Sequence, residues 1–149
     1  NKGRTEAGDV QVMSAGTGIA HSEYNLEDET TKIFQIWIQP NVYGEAPGYQ
    51  QKDFGRNKGL TLAVSPDGAE GSLVIKQDAR VYQLLLDAHS QAELPASTKR
   101  HYYVHVIKGE LLVDGELVTP GDGAKLTRID HLALQAQAKA VQALVFDLP

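Results

Sequence analysis

The chain has 149 residues, of which 42% are apolar and 22% charged, and it contains no cysteine. This length and apolar fraction suit one ordinary domain with a buried core, which excludes a disordered or collagen-like chain. A formal net charge of −5 argues against a broad nucleic-acid surface. The lack of cysteine excludes disulfides, thiolate-bound metals and thiol nucleophiles. We expect a soluble, cytoplasmic protein without a membrane partner, because no long apolar run is present.

The hydrophobic periodicity is that of strands rather than helices. Residues 32–39 are rich in β-branched and aromatic side chains and stop at Pro40, while Asp114-Gly115 separates two apolar runs and predicts a hairpin. Many short strands with turns between them are typical of a sandwich or barrel, so we expect an all-β fold with little helix. The other predicted strands cover residues 10–13, 60–64, 72–76, 79–86, 102–113, 132–135 and 140–147.

The stretch 41–59 differs in character, because it is polar and contains several glycines. We interpret it as a connecting segment between residues 1–40 and residues 60–149. About 40 residues of strand are too few for a stable domain of their own. The chain also starts at Asn1 rather than at methionine, so we expect a processed or shortened product.

One short motif carries possible metal chemistry. His21 and Glu23 form an H-x-E pair after the glycine-containing loop at Gly16 and Gly18. On a strand, side chains two residues apart share a face, so an imidazole and a carboxylate could converge on one ion. Iron, manganese, nickel, copper and zinc accept such a nitrogen and oxygen mixture. The alternative is a solvated polar face with His21 hydrogen-bonded at a barrel rim.

The chain resembles the pirin family, whose members are bicupins often described as quercetin 2,3-dioxygenases. The resemblance is carried by residues 7–25, A-G-D-V-Q-V-M-S-A-G-T-G-I-A-H-S-E-Y-N, followed by I-F-Q-I-W-I-Q-P at 33–40. It continues through residues 62–82, the run V-I-K-G-E-L-L-V-D-G at 106–115 and the terminal V-F-D-L-P. The resemblance implies a cupin-type jelly-roll β-barrel, with residues 1–40 as the last strands of a first barrel and residues 60–149 as a complete second barrel.

The resemblance also implies a site. In the family, the first barrel holds one metal ion through an H-x-H pair, a further histidine and a glutamate. His21 and Glu23 match the second half of this set, and Glu23 could in addition act as a catalytic base. The sequence contains no H-x-H pair, so the chain alone is expected to be inactive. A flavonol-like small molecule is the implied substrate, and no separate cofactor-binding residues are expected.

We predict structural roles for the remaining histidines. His101 and His105 lie four apart in a predicted strand, roughly 13 Å along it, which is too far for one ion. His131 and His89 have no H-x-E partner, so the second barrel is expected to hold no metal. Trp37 is predicted to be a core anchor on an inner sheet face.

Two functions from different classes remain open. In the first, the chain belongs to a metal-dependent dioxygenase. In the second, it is a non-catalytic binding or interaction module, like the regulatory cofactor role known for some pirins, or a metal-free structural cupin. In either case the apolar residues of 33–38 need a cover, and we expect them to pack on the second barrel or on a second copy, with a homodimer favoured.

Overall fold

The computed structural model describes residues 3–149, which form an almost entirely β structure. The one helical element of these residues is a short 3-10 turn at Ala69–Gly71. No helix in the described range is long and apolar enough to cross a membrane. The strands are β1 (Asp9–Ser14), β2 (Gly48–Asp53), β3 (Gly59–Ser65), β4 (Leu73–Val74), β5 (Arg80–Leu86), β6 (Gln91–Pro95), β7 (His101–Lys108), β8 (Leu111–Val113), β9 (Glu116–Val118), β10 (Gly123–Thr127), β11 (His131–Ala136) and β12 (Val141–Leu148).

The strands form a six-stranded sheet, a four-stranded sheet and a separate two-stranded ribbon. The six-stranded sheet has the order β10-β7-β12-β5-β3-β4, and the four-stranded sheet has the order β6-β11-β8-β9. Except for the parallel pair β3–β4, the strand pairs are antiparallel. Strand neighbours that are distant in sequence, such as β6 and β11, give the arrangement the crossed connections of a jelly roll.

The main core lies between the two larger sheets. Strands β5, β7 and β12 contribute one layer of it, and β8, β9 and β11 contribute the other. Alternation along each strand produces this layer, because successive side chains point to opposite faces. The buried members of this core are all aliphatic: Leu84, Leu86, Val104, Val106, Leu111, Val113, Val118, Leu132, Leu134, Ala136, Val141, Ala143 and Val145.

A second, smaller core lies on the other face of the six-stranded sheet. Val12 of β1 and Phe54, just after β2, pack there with Val81 and Phe146 of the sheet. Strand β12 is therefore buried on both faces, with Val145 in the main core and Phe146 in the small one. This packing fixes the ribbon β1–β2, from which the loop containing the H-x-E motif leaves.

The all-β prediction is confirmed, and so is the hairpin at Asp114-Gly115, which joins β8 to β9. The predicted strand 102–113 is in fact two strands, β7 and β8, interrupted at Gly109. Gly109 has φ +78, and a Cβ built on it would lie 2.3 Å from the carbonyl oxygen of Ala140. The close approach of this backbone therefore ends β7.

The prediction of a strand at 32–39 is wrong for the described residues, in which this stretch pairs with no other segment. A β-strand requires a hydrogen-bonded neighbour, and β-propensity alone does not supply one. Trp37 is not a core anchor either, because its side chain is 88% exposed. Ile38, by contrast, packs against the small core, and the Phe34 ring contacts His105 at a centroid distance of 5.4 Å.

Three strands were not expected from the sequence: β2, β6 and β10. Strand β2 lies within the predicted connecting segment 41–59 and pairs with β1 along its whole length, from Asp9 with Asp53 to Ser14 with Gly48. Its sequence G-Y-Q-Q-K-D is polar, and no residue of the strand is fully buried. The division of the chain at 41–59 stays a prediction.

Candidate functional site

The loop that follows β1 carries the predicted metal ligands. It turns at once, because the amide of Gly18 donates a hydrogen bond to the carbonyl of Ala15 at 2.7 Å. Gly16 has φ +54 and lies directly against the backbone of residues 45–47. A residue with a Cβ could not occupy this position without moving that backbone. The loop therefore starts from a fixed point beside β2.

His21 and Glu23 lie further along the same loop, and both side chains are exposed to solvent. They are not on a strand, which was the condition for their sharing a face, because the residues around them pair with no other segment. Their spacing therefore does not impose a common face. Residues 3–149 contain no group of three or more histidine, aspartate or glutamate side chains placed to hold a metal ion.

The two side chains nevertheless fit a divalent transition metal by donor type. An imidazole nitrogen and a carboxylate oxygen suit nickel, iron, manganese, copper or zinc. They fit only part of a coordination shell, since such ions take four or more donors. Further along the loop, Glu27 forms an ion pair with Arg4 at 2.7 Å.

The turn after the H-x-E pair is organised by one side chain. The Asn25 side-chain oxygen Oδ1 accepts hydrogen bonds from the Glu27 backbone amide at 3.0 Å and from the Thr31 hydroxyl at 3.1 Å. The Asn25 side-chain amide donates to the carbonyl of Glu29 at 2.7 Å. Sequence reasoning gave Asn25 no role of its own, although asparagine side chains commonly hydrogen-bond nearby backbone in turns.

The other histidines occupy separate places. His101 and His105 both lie on β7, His131 begins β11, and His89 lies in a turn with φ +61. The interior between the two larger sheets is filled by the aliphatic core described above. Tyr102 is 1% exposed, and its hydroxyl accepts a hydrogen bond from the amide of Ser97.

An apolar groove lies between residues 34–38 and the outer face of the six-stranded sheet, with a cavity volume of about 370 Å³. Sequence reasoning did not predict it, because it forms where an unpaired segment crosses two strands. Polar groups at its wall come from Gln35, His105 and Tyr103. The Tyr103 ring lies beside Phe146 at a centroid distance of 5.9 Å. A Cβ on Gly123 would lie 2.2 Å from the Tyr103 hydroxyl oxygen, so this glycine makes room for the ring.

Comparison with known proteins identifies the class. A family model described as "Quercetinase C-terminal cupin domain" matches residues 62–148, and the model described as "Pirin" matches residues 1–38. The quercetin 2,3-dioxygenase of Escherichia coli strain K12 is 36% identical over 150 residues, which cover 100% of this chain and 64% of that protein. A pirin-like protein of Caulobacter vibrioides is 45% identical, with 97% and 64% covered.

Solved structures agree with these matches. The crystal structure of YhhW from Escherichia coli superimposes with a TM-score of 0.92 at 36% identity and covers 100% of this chain and 64% of its own. A structure of the bacterial pirin YhhW in complex with nickel(II) has a TM-score of 0.86 at 34% identity, with 96% and 62% covered.

The jelly-roll arrangement and these matches define a cupin-type protein. The chain belongs to the pirin family, and it resembles that family's quercetin 2,3-dioxygenase-like members. It spans 64% of the length of the curated Escherichia coli and Caulobacter relatives. The family prediction made from residues 7–25 and the later motifs is therefore confirmed.

Proposed function

We propose that this chain is the larger part of a metal-dependent quercetin 2,3-dioxygenase of the pirin type, in which His21 and Glu23 are two of the metal ligands. The observation that carries the proposal is the loop after β1, which exposes an imidazole and a carboxylate two residues apart. Support comes from the relatives named for that activity and from the relative solved with nickel(II).

The remaining donors would have to come from residues other than these two. The family resemblance assigns them to an H-x-H pair and a further histidine, and this sequence contains no H-x-H pair. His21 and Glu23 would supply two of the ion's donor atoms. When bound, a divalent transition metal supplies Lewis-acid polarisation and the electronic means for oxygen chemistry.

The chain's own groups have defined tasks in this proposal. His21 would bind the ion through its neutral imidazole, and its exposure leaves that ring accessible. Glu23 would bind through one carboxylate oxygen and could take the proton of a substrate hydroxyl on the other. A flavonol-like substrate carries such a hydroxyl. Both groups are on a solvent-facing loop. Additional protein residues would therefore have to cover the site to exclude water.

Metal analysis of the purified protein tests the proposal. We expect a divalent first-row metal to copurify or to bind on addition of Ni²⁺, and to be lost in His21→Ala and weakened in Glu23→Gln. His131→Ala is the matched control, since it removes an exposed histidine far along the chain and should leave binding unchanged. Oxygen uptake with quercetin, measured on metal-loaded protein, shows whether the chain that binds the metal also has dioxygenase activity.

Two results would count against the proposal. The absence of any His21-dependent metal binding would favour the non-catalytic binding module. Metal binding without quercetin-dependent oxygen uptake is the result expected for this chain alone, because its sequence contains no H-x-H pair. Quercetin-dependent oxygen uptake that persists unchanged in His21→Ala would contradict the assignment of His21 as a metal ligand.

A further inference from the structure

We infer that Gly16 and Asn25 are positioning residues that hold the segment carrying His21 and Glu23 between two fixed points. The inference rests on the proposed function of that pair. It concerns residues that do not themselves bind a metal, and it arises from the backbone contacts of the loop.

The first fixed point is Gly16. A Cβ on this residue would lie 2.2 Å from the carbonyl oxygen of Glu45 and 2.9 Å from the nitrogen of Pro47. Contacts this short do not occur with real Cβ atoms, so the two backbones touch because residue 16 has no side chain. The segment 45–47 leads directly into β2, and β2 is paired with β1 up to Ser14 and Gly48. The start of the loop is thus held by the ribbon.

The second fixed point is Asn25. Its side chain uses both its oxygen and its nitrogen to close the turn over residues 25–31, with three hydrogen bonds between 2.7 and 3.1 Å. Glu27, which belongs to this turn, is joined by the ion pair with Arg4 to the segment that precedes β1. The end of the loop is thus tied to the same side of the molecule as its start.

Between these points, residues 19–24 have no strand partner and are exposed. The anchors are therefore what limits the conformations available to His21 and Glu23. A metal ion that binds both side chains must order the segment, and the entropic cost of ordering rises when an anchor is removed. Groups that hydrogen-bond metal ligands directly change affinity by about 10- to 100-fold. Gly16 and Asn25 act through the backbone of the loop, so the lower end of that range is expected.

The test uses the full 149-residue chain and Ni²⁺ alone as the probe. The readout is the paramagnetic broadening of the His21 ring signals by NMR during titration, which reports the metal at this side chain rather than general stability. We expect Gly16→Ala and Asn25→Ala each to weaken Ni²⁺ binding at His21 by about tenfold.

Matched controls accompany each variant. Gly48→Ala places a methyl group in the same region, but its Cβ would meet only the Ser14 Cβ at 3.9 Å, an ordinary contact. Asn41→Ala removes an exposed asparagine whose backbone amide, rather than its side chain, bonds to Lys76. Both controls should bind Ni²⁺ within about twofold of the parent chain.

The outcomes separate the two proposals. If the parent chain shows no broadening that His21→Ala abolishes, the proposed metal site is overturned and the positioning roles with it. If the parent binds and both variants bind equally well, the metal site stands and the positioning roles are overturned. Amide spectra of the main core identify a Gly16→Ala chain that has not folded, and Asn25→Ala, which touches no strand, then decides the question.

Discussion

At the scale of single residues, Arg100 joins three parts of the chain. Its guanidinium donates to Asp147 on β12, to the Asp78 carboxylate at 2.7 Å and to the Asp78 carbonyl at 2.9 Å. The Asp147 and Arg100 side chains are only 10% and 18% exposed. Burial by itself lowers the pKa of Arg100, but the hydrogen bonds to Asp147 and Asp78 outweigh it, so that the pKa is raised.

Removing this guanidinium should therefore be costly. We expect Arg100→Met to lower the free energy of unfolding by about 2 kcal/mol, because it removes hydrogen bonds to two carboxylates. Asp147 then retains the longer ion pair with Arg80 at 3.7 Å. Urea denaturation at pH 7 measures the change. Lys58→Met is the control: its ion pair with Asp87 is exposed on both sides, and its loss should change stability by less than about 1 kcal/mol. Equal effects of the two variants would contradict the expectation.

Asp67 gives a residue-scale prediction for pH. The hydrogen bond from the buried Ser65 hydroxyl at 2.9 Å, together with one from the Ala69 amide, lowers the pKa of Asp67. A lowered folded-state pKa means that ionised Asp67 stabilises the fold above its unfolded pKa, and that this contribution is lost as pH falls through the folded pKa. We expect Asp67→Asn to lower Tm at pH 7 and to approach the parent below about pH 4.

A series of thermal scans from pH 7 to pH 3 measures this convergence. In a Ser65→Ala background the pH-dependent part of the Asp67→Asn effect should shrink, since the largest cause of the shift has been removed. A difference in Tm that is the same at both ends of the series would show that Asp67 acts through its shape rather than through its charge.

At the scale of elements, Gly109 determines where β7 ends. Gly109 and Gly115 both have positive φ, +78 and +88, but a Cβ on Gly109 would clash with the Ala140 carbonyl, whereas one on Gly115 would meet nothing within 4 Å. Substitutions at these two positions therefore distinguish the cost of backbone strain alone from the added cost of steric overlap with the Ala140 backbone.

We expect Gly115→Ala to cost about 1 kcal/mol from backbone strain alone. Gly109→Ala should cost about 3 kcal/mol, because overlap with the backbone before β12 is added to the strain. Chemical denaturation of both variants provides the comparison. If the free energy of unfolding of Gly109→Ala is no lower than that of Gly115→Ala, the Ala140 backbone moves to accommodate the added methyl group, which contradicts the expectation.

The sequence was sufficient to predict the strands that alternate between a buried and an exposed face. Strands β7 and β11 are of this kind, since each buries every second residue and exposes residues on the other face. It was insufficient for β2, which is polar and exists because β1 lies beside it. It was misleading for residues 32–39, whose composition suits a strand although no described segment pairs with them. Pairing is a property of two segments, and periodicity reports on one.

The candidate site was likewise predicted only in part from the sequence. Residue type and spacing were enough to select His21 and Glu23, and a long motif was enough to identify the family. The strand on which a shared face would depend is absent there, because this loop is held by Gly16 and Asn25 rather than by hydrogen bonds to a neighbouring strand. Contacts such as that of Gly16 with residues 45–47 join positions about 30 apart, which no local pattern reports.

At the scale of the whole molecule, the main open feature is the apolar run at residues 33–38. Trp37 is 88% exposed and Ile33 63%, while Phe34 and Ile36 are about half-exposed over the groove beside β7 and β12. Isolated exposed apolar residues are ordinary, but a contiguous patch marks a surface that another surface covers. The homodimer expected from the sequence stays a prediction, and this patch is where it would form.

We therefore expect this chain to associate in a concentration-dependent way, with Trp37 at the contact. Sedimentation velocity should show a dimer that shifts toward monomer in Trp37→Ser, while the Tm of the monomeric unit changes little, because Trp37 contributes nothing to either core. Leu117→Ser is the control, since Leu117 is 56% exposed on β9, outside this patch. A parent chain that is monomeric throughout, with the fluorescence of a fully hydrated Trp37, would contradict the prediction and leave the apolar run for a different partner.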